Sequence, residues 1–298
     1  MAKLLPIAAL IVNAFVWGVS WWPLRELQSA GLHPLWSTVI MYCFALVVVL
    51  LIKPLAWRGL VEHPALWLLL LASGLTNVGF NWAVSISDVV RVLILFYLMP
   101  GWAVLLAWLV LKEKPTRAAL LRLLLALSGV MIILIPEPST QPSSSNVLSL
   151  NLSFADVLAL MGGFCFALTN VLLKRLSNTP SEARMFAMFA GGALLAIGAG
   201  AGGMTMGWVS GLPAISAYWM WVAAALSLAF LAGNTALQYG AGRLPSSTTS
   251  LVMLTEILFG SLSSVALGAA ALDSRTLIGG GLIVAAALMA VFDHNKGD

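Results

Sequence analysis

Ten long apolar runs dominate the sequence, and each has about the length that a helix needs to cross a bilayer. A spanning helix takes about 20 apolar residues, and its backbone must satisfy its own hydrogen bonds because lipid offers none. The runs, called spans one to ten below, cover residues 4–24, 34–52, 64–85, 90–111, 118–135, 154–173, 182–204, 217–239, 246–269 and 276–292. Charged residues make up 9% of the chain, against about 25% in a soluble domain. The sequence therefore predicts an all-α polytopic membrane protein with ten transmembrane helices.

The positions of the basic residues predict the orientation of these spans. With the N-terminus inside, twelve of the 15 lysines and arginines fall on the inner face, and Arg25, Arg91 and Arg275 fall on the outer face. Basic residues mark the cytoplasmic side of a membrane protein. We therefore predict a multi-pass protein of the cell inner membrane with both termini in the cytoplasm. The net charge of +4 follows from this orientation and does not indicate nucleic-acid binding.

A polar linker rich in serine and proline divides the chain into two related parts. The predicted units are a first repeat at 1–136 (spans one to five), an outer linker at 137–153, and a second repeat at 154–298 (spans six to ten). Span four aligns with span nine at an offset of 156 residues, which sets Pro100 against Glu256. Because five is odd, the two repeats have inverted topology. Transporters built in this way hold their substrate near the midplane, between the repeats.

Several short motifs add a family resemblance. Trp17-Gly18 in span one, the sequence YLMP at 97–100 in span four and Glu113 at the end of that span resemble the EamA-type branch of the drug/metabolite transporter superfamily. Within that branch the chain most resembles the YddG-type exporters of aromatic and other amino acids. The resemblance implies a secondary transporter that exports large neutral and aromatic amino acids and related metabolites by alternating access through a central cavity. We also predict that the protein acts as a monomer. Relatives usually keep a proline in span nine, where this chain has Glu256.

Amide side chains in spans three and eight are the first candidates for substrate binding. Asn77 and Asn81 lie four residues apart in span three, and Asn234 and Gln238 repeat this spacing in span eight. Residues four apart share one face of a helix, and polar groups within a membrane face the protein interior or a wet cavity. They either line a substrate cavity or join helices through hydrogen bonds.

Aromatic and sulfur-containing residues deep in the spans are further candidates. Trp17, Trp82, Tyr97, Phe166 and Tyr239 lie deep in their spans and would suit apolar or aromatic substrate side chains, although each one also suits core packing.

Two methionines and one serine complete the predicted binding set. Met99 and Met253 offer adaptable apolar surface, with ordinary core packing as the alternative. Ser250 belongs to the run PSSTTS that opens span nine. That run either caps a helix or helps to attract a substrate carboxylate.

Two residues at equivalent positions of the repeats are candidates for a mechanism of transport. Pro100 interrupts span four and is the predicted hinge, because a proline removes a helix hydrogen bond and kinks the rod. Glu256 is the only carboxylate near the middle of a span, where a lone charge is costly. It is either a proton or cation site, or a neutral, hydrogen-bonded residue that fills the place of the missing proline.

No pattern in the sequence indicates an enzyme. The three histidines, His33, His63 and His294, lie at span ends or in the tail, and there is no HExxH motif or Walker loop. We therefore predict no catalytic residues, no metal and no cofactor. Two alternatives to amino-acid export remain open. One is export of drugs, quaternary amines or other small metabolites, and the other is a membrane sensor or scaffold that does not transport.

Overall fold

The computed structural model describes residues 4–87, 89–134, 152–268 and 274–296, and all regular structure within these ranges is helical. The α-helices are α1 (Leu4–Val19), α2 (Trp21–Ser29), α3 (Pro34–Ile52), α4 (Gly59–Glu62), α5 (Ala65–Ile86), α6 (Val89–Phe96), α7 (Met99–Leu106), α8 (Arg117–Leu134), α9 (Phe154–Arg175), α10 (Ser181–Thr205), α11 (Ala217–Ala241), α12 (Ser246–Met253), α13 (Thr255–Ala266) and α14 (Ser274–Lys296). A 3-10 turn at Ala56–Arg58 precedes α4, and a π-helical turn at Ala107–Leu111 extends α7. The predicted all-α class is confirmed.

Eight helical segments among the described residues are long and apolar enough to cross a membrane. They are Leu4–Ser29, Pro34–Ile52, Ala65–Val84, Val92–Leu111, Phe154–Arg175, Ser181–Thr205, Ala217–Ala241 and Ser246–Ala266. The remaining two predicted spans correspond to α8 and α14, which pack on each other. The apolar part of α14 is shorter, Leu277–Met289. The polytopic architecture is therefore confirmed, and the count of ten spans stays a prediction.

Spans four and nine are each broken near their middle. Span four turns at Tyr97 and Leu98, between α6 and α7, and Pro100 is the second residue of α7. A proline is well tolerated there, because the first turn of a helix has no partner for the missing N–H. Span nine breaks at Leu254, between α12 and α13, without a proline. Leu98 and Leu254 lie 156 residues apart, which is the offset that aligns the two spans in sequence.

Side-chain hydroxyls accompany the break in span nine. The Thr255 Oγ1 donates to the Val252 carbonyl oxygen at 2.7 Å, and the Ser250 Oγ donates to the Ser246 carbonyl oxygen at 2.7 Å. Hydroxyl groups that bond back to a preceding turn bend helices. These hydroxyl bonds therefore accompany a break that has no proline, while Glu256 lies at the position that aligns with Pro100.

The most extensive helix interfaces join the first part of the chain to the second. Helix α5 packs on α9 and α10, α1 packs on α11 and α13, α3 packs on α10, and α8 packs on α14. In the predicted repeat, α5 corresponds to α11 and α9 corresponds to α1. The α5–α9 contact therefore has its equivalent in the α11–α1 contact. The two parts thus bury their apolar faces against each other.

Close backbone contact fixes the crossing of α5 and α10. A Cβ atom on Gly191 of α10 would overlap the carbonyl oxygen of Leu70 in α5, and a Cβ on Gly74 would overlap the carbonyl oxygen of Gly191. One turn away, the Ser73 Oγ donates to the Met188 carbonyl oxygen at 3.2 Å. Glycine lets the helices approach this closely because it has no side chain.

The predicted linker at 137–153 lies outside the described residues, except for its last two. Ser153 begins α9 through a capping box. Its Oγ accepts a hydrogen bond from the Asp156 N–H at 3.2 Å, and its own N–H donates to the Asp156 Oδ2 at 2.8 Å. This cap satisfies two backbone groups that a helix start leaves open.

Candidate functional site

A cavity lies at the centre of the bundle, where helices from both parts of the chain meet. The volume open to the centres of water-sized molecules is about 80 Å³, well above the 10–15 Å³ or so that one water needs. Its walls come from α1, α3, α5, α6, α9, α10, α11 and α13. The lining residues are Asn13, Trp17, Tyr42, Ser73, Thr76, Asn77, Phe80, Phe96, Phe166, Thr169, Met188, Phe189, Phe230, Asn234, Leu237 and Glu256. Aromatic rings, amides and hydroxyls thus share one space with a single carboxylate.

Aromatic rings form two groups in this wall. The Trp17 ring of α1 stacks on the Phe230 ring of α11, with centroids 4.4 Å apart and planes at 24°. In the second group, the centroid of the Phe96 ring lies 4.8 Å from that of Phe80 and 6.0 Å from that of Phe166. Rings at these separations pack favourably and offer flat apolar surface. Both groups pair helices from different parts of the chain.

Two amide groups in the wall donate only to sulfur. The Asn13 Nδ2 donates to the Met253 Sδ at 3.3 Å, and the Asn234 Nδ2 donates to the Met188 Sδ at 3.5 Å. A thioether is a weak acceptor, so these donors gain more from a ligand oxygen. Within the described part of the chain, the buried Asn13 Oδ1 has no hydrogen-bond partner. Asn13 is fully buried in the protein and still lines the cavity.

Asn77 is held firmly in the same wall. Its Oδ1 accepts a hydrogen bond from the Tyr42 hydroxyl at 2.7 Å, and its Nδ2 donates to the Ser73 carbonyl oxygen at 2.8 Å. Tyr42 is itself placed by a close contact with Gly192 of α10. This network gives α3, α5 and α10 a fixed polar surface toward the cavity.

The single carboxylate of the lining is bonded to the break in span four. The Tyr97 hydroxyl donates to the Glu256 Oε1 at 2.6 Å. Tyr97 lies in the turn between α6 and α7 and is 4% exposed, whereas Glu256 is partly exposed in the first turn of α13. Because each residue lies at one helix break, this hydrogen bond joins the two broken spans.

The cavity is closed toward the end of the bundle where α1 begins. The residues that follow the lining in that direction are fully buried: Leu10 in α1, Leu173 in α9, Met99 in α7 and Leu254 beside Glu256. Helix α12 also packs on α7 and α9 at this end. Helix α6 is the counterpart of α12, because each precedes the break in its span. At the other end of the cavity, α6 makes at most marginal contact with α13 and α1 among the described residues. Phe80 and Phe259 are only partly buried there.

At the closed end, Glu113 links the segment that follows α7 to the start of α12. It follows the π-helical turn, and its carboxylate accepts a hydrogen bond from the backbone N–H of Ser246, the first residue of α12. Burial raises the pKa of the Glu113 carboxyl group above its ordinary value, while the nearby Lys174 charge and the bond from Ser246 act in the opposite direction.

Five of the residues predicted from the sequence line the cavity together: Trp17, Asn77, Phe166, Asn234 and Glu256. Tyr97 lies directly behind Glu256. Gln238 is 3% exposed and supports the wall from behind, because its Nε2 donates to the Asn234 Oδ1 at 2.7 Å.

The remaining predicted residues lie outside the lining. The Asn81 Nδ2 donates to the Thr38 Oγ1 at 2.5 Å, and the Trp82 ring packs on Phe154 with centroids 5.5 Å apart. Tyr239 lies under Arg243, whose guanidinium carbon is 3.8 Å from the ring centroid.

Three predicted residues in or beside the breaks are fully buried. Met99 and Met253 belong to the fully buried layer at the closed end of the cavity, where α1 begins. Met253 contacts the lining through the hydrogen bond that its Sδ accepts from Asn13. The Ser250 hydroxyl bonds within its own helix. Pro100, the predicted hinge, also lies in this buried layer.

Asn13 is the main lining residue that the sequence prediction does not name. It is the one amide in the apolar run of α1 and lies four residues before Trp17, on the same face. An amide inside an apolar span is the signal that could have identified it. Within the described ranges, no three or more His, Cys, Asp or Glu residues form a group that could hold a metal ion.

Comparisons with known proteins agree with this architecture. Residues 4–135, which include α1 to α8, match the EamA-like transporter family. A solved crystal structure of a protein superposes with a TM-score of 0.75 and 16% identity, covering 100% of this chain and 98% of that one. That likeness shows the fold alone. None of the curated proteins matches the sequence. The family match indicates a membrane transporter.

Proposed function

We propose that the protein is a secondary transporter that exports amino acids, chiefly large neutral and aromatic ones, and related metabolites through the central cavity. The family match over residues 4–135 supports a non-enzymatic membrane transporter, and the resemblance to YddG-type exporters supports the substrate class and direction. The proposal includes a monomer in the cell inner membrane with cytoplasmic termini, for which the distribution of basic residues is the support. Repeats at 1–136 and 154–298, joined by the linker at 137–153, would surround the cavity.

One observation carries the proposal: amide donors and aromatic rings face the same enclosed space. The Nδ2 groups of Asn13 and Asn234 donate only to methionine sulfur. A substrate carboxylate is a far better acceptor, since hydrogen bonds to a charged group are roughly twice as strong as neutral ones. An α-carboxylate would therefore replace the sulfur contacts.

The aromatic groups suit the side chain of the same substrate. The Trp17–Phe230 stack and the cluster around Phe96 present flat apolar surfaces on helices from both parts of the chain. A ring inserted between them would gain about 0.5–1.5 kcal/mol per ring contact beyond its apolar burial. Large neutral side chains gain mainly from that burial.

Alternating access is supported by the two broken spans. Short helix segments α6, α7, α12 and α13 meet at the breaks and can tilt separately. The packing of α12 on α7 closes one end of the cavity, while α6 leaves the other end less covered. Exchange of these two arrangements would expose the cavity to each side in turn, with Pro100 as the hinge of span four.

A counterflow assay with the purified protein in proteoliposomes tests the function. Vesicles loaded with unlabelled phenylalanine, tryptophan, leucine, choline or no solute receive labelled phenylalanine outside, with and without a pH gradient. We expect accelerated uptake in vesicles loaded with amino acids, and Trp17→Ala should raise the KM for phenylalanine. Empty vesicles without protein provide the background.

The other outcomes of this assay identify the alternatives. A second set of vesicles receives labelled choline in place of labelled phenylalanine. Exchange of the labelled choline, with no exchange of any amino acid, would contradict the proposed substrate and favour a transporter of quaternary amines. Saturable binding of phenylalanine to the purified protein, without any flux, would contradict transport and favour a sensor.

A further inference from the structure

We propose that Glu256 selects substrates by their protonated amine and that Tyr97 is the positioning residue that holds its carboxylate at the cavity wall. This inference rests on the proposed transport function and specifies the group that the cavity recognises. It assigns a role to the one charged residue among the 16 described residues that line the cavity.

The charge balance of the lining is the first argument. The other 15 lining residues are neutral amides, hydroxyl-bearing residues, aromatic rings and apolar side chains, with no Lys, Arg or His among them. Among the described lining residues, the partly buried carboxylate therefore has no counter-charge. A ligand ammonium group supplies one, and it loses less by leaving water when a carboxylate and aromatic faces replace its hydration. An anion without an amine is repelled by the Glu256 carboxylate, and the neutral amide donors of the wall carry no charge to offset that repulsion.

The geometry of the carboxylate is the second argument. Among the described residues its side-chain partner is the Tyr97 hydroxyl, which bonds to Oε1. Oε2 is left for a ligand. Tyr97 is buried and lies in the turn between α6 and α7, so the surrounding side chains restrict the rotation of its ring. The hydrogen bond therefore fixes the direction of Glu256.

The surrounding rings and amides complete an ammonium site. Asn13 contributes an Oδ1 without a partner in the described part of the chain, which can accept from the same ammonium group. The Trp17 and Phe166 rings share the lining and offer faces that attract cations. Recognition thus combines one charge, one neutral acceptor and aromatic surface.

Three related compounds test the selection: phenylalanine, phenethylamine, which lacks the carboxylate, and 3-phenylpropionate, which lacks the amine. Binding to purified protein is measured by calorimetry, and KM and kcat are measured in proteoliposomes. The wild type should bind both amines and reject 3-phenylpropionate. Glu256→Gln should lower the preference for amines by about 10- to 100-fold, which is the effect of a hydrogen bond to a charged group.

Matched variants separate this role from a structural one. Glu256→Asp keeps the charge and should keep the amine preference with a higher KM. Tyr97→Phe should raise KM for both amines several-fold and keep the preference, because the carboxylate remains. Glu62→Gln, the same substitution at an exposed carboxylate in α4, should change nothing.

The results that overturn the inference are distinct from those that overturn the proposed function. If Glu256→Gln keeps the full amine preference, or if the wild type binds 3-phenylpropionate as well as phenylalanine, amine selection is refuted while amino-acid transport stands. If the wild type binds neither amine, both proposals fall.

Discussion

Replacing Gly191 with alanine should push α5 and α10 apart at the point where they build the cavity wall. A Cβ at this position would overlap the Leu70 carbonyl oxygen and lie 2.8 Å and 3.1 Å from the Leu70 C and Cα atoms. All three are backbone atoms inside a helix, so no side-chain rotation can relieve the overlap. One of the two helices must therefore move.

The expected magnitude follows from two opposing terms. Overpacking of this kind costs about 1–3 kcal/mol, and a glycine-to-alanine change inside a helix returns up to about 1 kcal/mol. The net change is a destabilisation of about 0–2 kcal/mol, and the difference from a matched glycine-to-alanine change without overlap is about 1–3 kcal/mol. Gly198, seven residues along the same helix, is the matched control, because a Cβ there meets nothing within 4 Å. Gly198→Ala should be neutral or slightly stabilising.

The chain contains its own probes for this measurement. Cys43 is partly buried and Cys165 is buried, and both are free thiols. A thiol-reactive fluorophore therefore follows thermal unfolding in detergent. Gly191→Ala should lower the midpoint by several degrees relative to Gly198→Ala, since 1 kcal/mol shifts it by about 2–4 °C in a domain of this size. Equal midpoints, or a higher one for Gly191→Ala, would refute the close crossing.

Three further changes give separate predictions. Asn234→Ala should raise the KM for phenylalanine uptake about 2- to 10-fold, while Asn81→Ala, which breaks a bond outside the lining, should not; equal effects would contradict the assigned lining. Because burial raises the pKa of Glu113 in the folded protein, the wild type should gain stability relative to Glu113→Gln as pH falls through that pKa and lose it as pH rises. Unfolding midpoints at about pH 5 and 8 measure this, and a constant difference would argue against a buried Glu113. Pro100→Ala should change the unfolding free energy by no more than about 1 kcal/mol. It should nevertheless lower turnover in proteoliposomes several-fold, because α6 and α7 can then form one continuous helix. Unchanged turnover would contradict the role of Pro100 as the hinge.

The sequence predicts the helices well because their signal is local. A run of about 20 apolar residues indicates a spanning helix whatever surrounds it. Pro100 likewise signals the break in span four. The break at Leu254 has no such residue, and only the alignment with span four at an offset of 156 residues points to it.

The site is only partly predictable because it depends on how each helix is rotated and which neighbours it meets. Polar residues inside apolar spans are informative, and Asn77, Asn234 and Glu256 all line the cavity. Phenylalanines are not: Phe230 lines the cavity, whereas Phe15 is 49% exposed on the outside of α1. Nothing in the local sequence distinguishes the two.

A residue that matches its counterpart in the other repeat does not necessarily line the cavity. Trp82 and Tyr239 occupy matching places in spans three and eight, but neither lines the cavity. Trp82 packs on Phe154, and Tyr239 packs under Arg243. Phe154 is distant from Trp82 in the sequence, so tertiary packing decided the position of Trp82. Arg243 is only four residues beyond Tyr239, so the position of Tyr239 is stabilised by a local contact.

Side-specific cysteine labelling tests most directly whether the central cavity is the transport route. Asn77→Cys and Phe166→Cys are placed separately in an active variant in which Cys43 and Cys165 are replaced, with the fully buried Val171→Cys as the sealed control. A membrane-impermeant maleimide should label both cavity positions from the side where α6 begins, and saturating phenylalanine should slow that labelling. If neither position reacts from either side, or if substrate leaves the rates unchanged, the cavity is not the route.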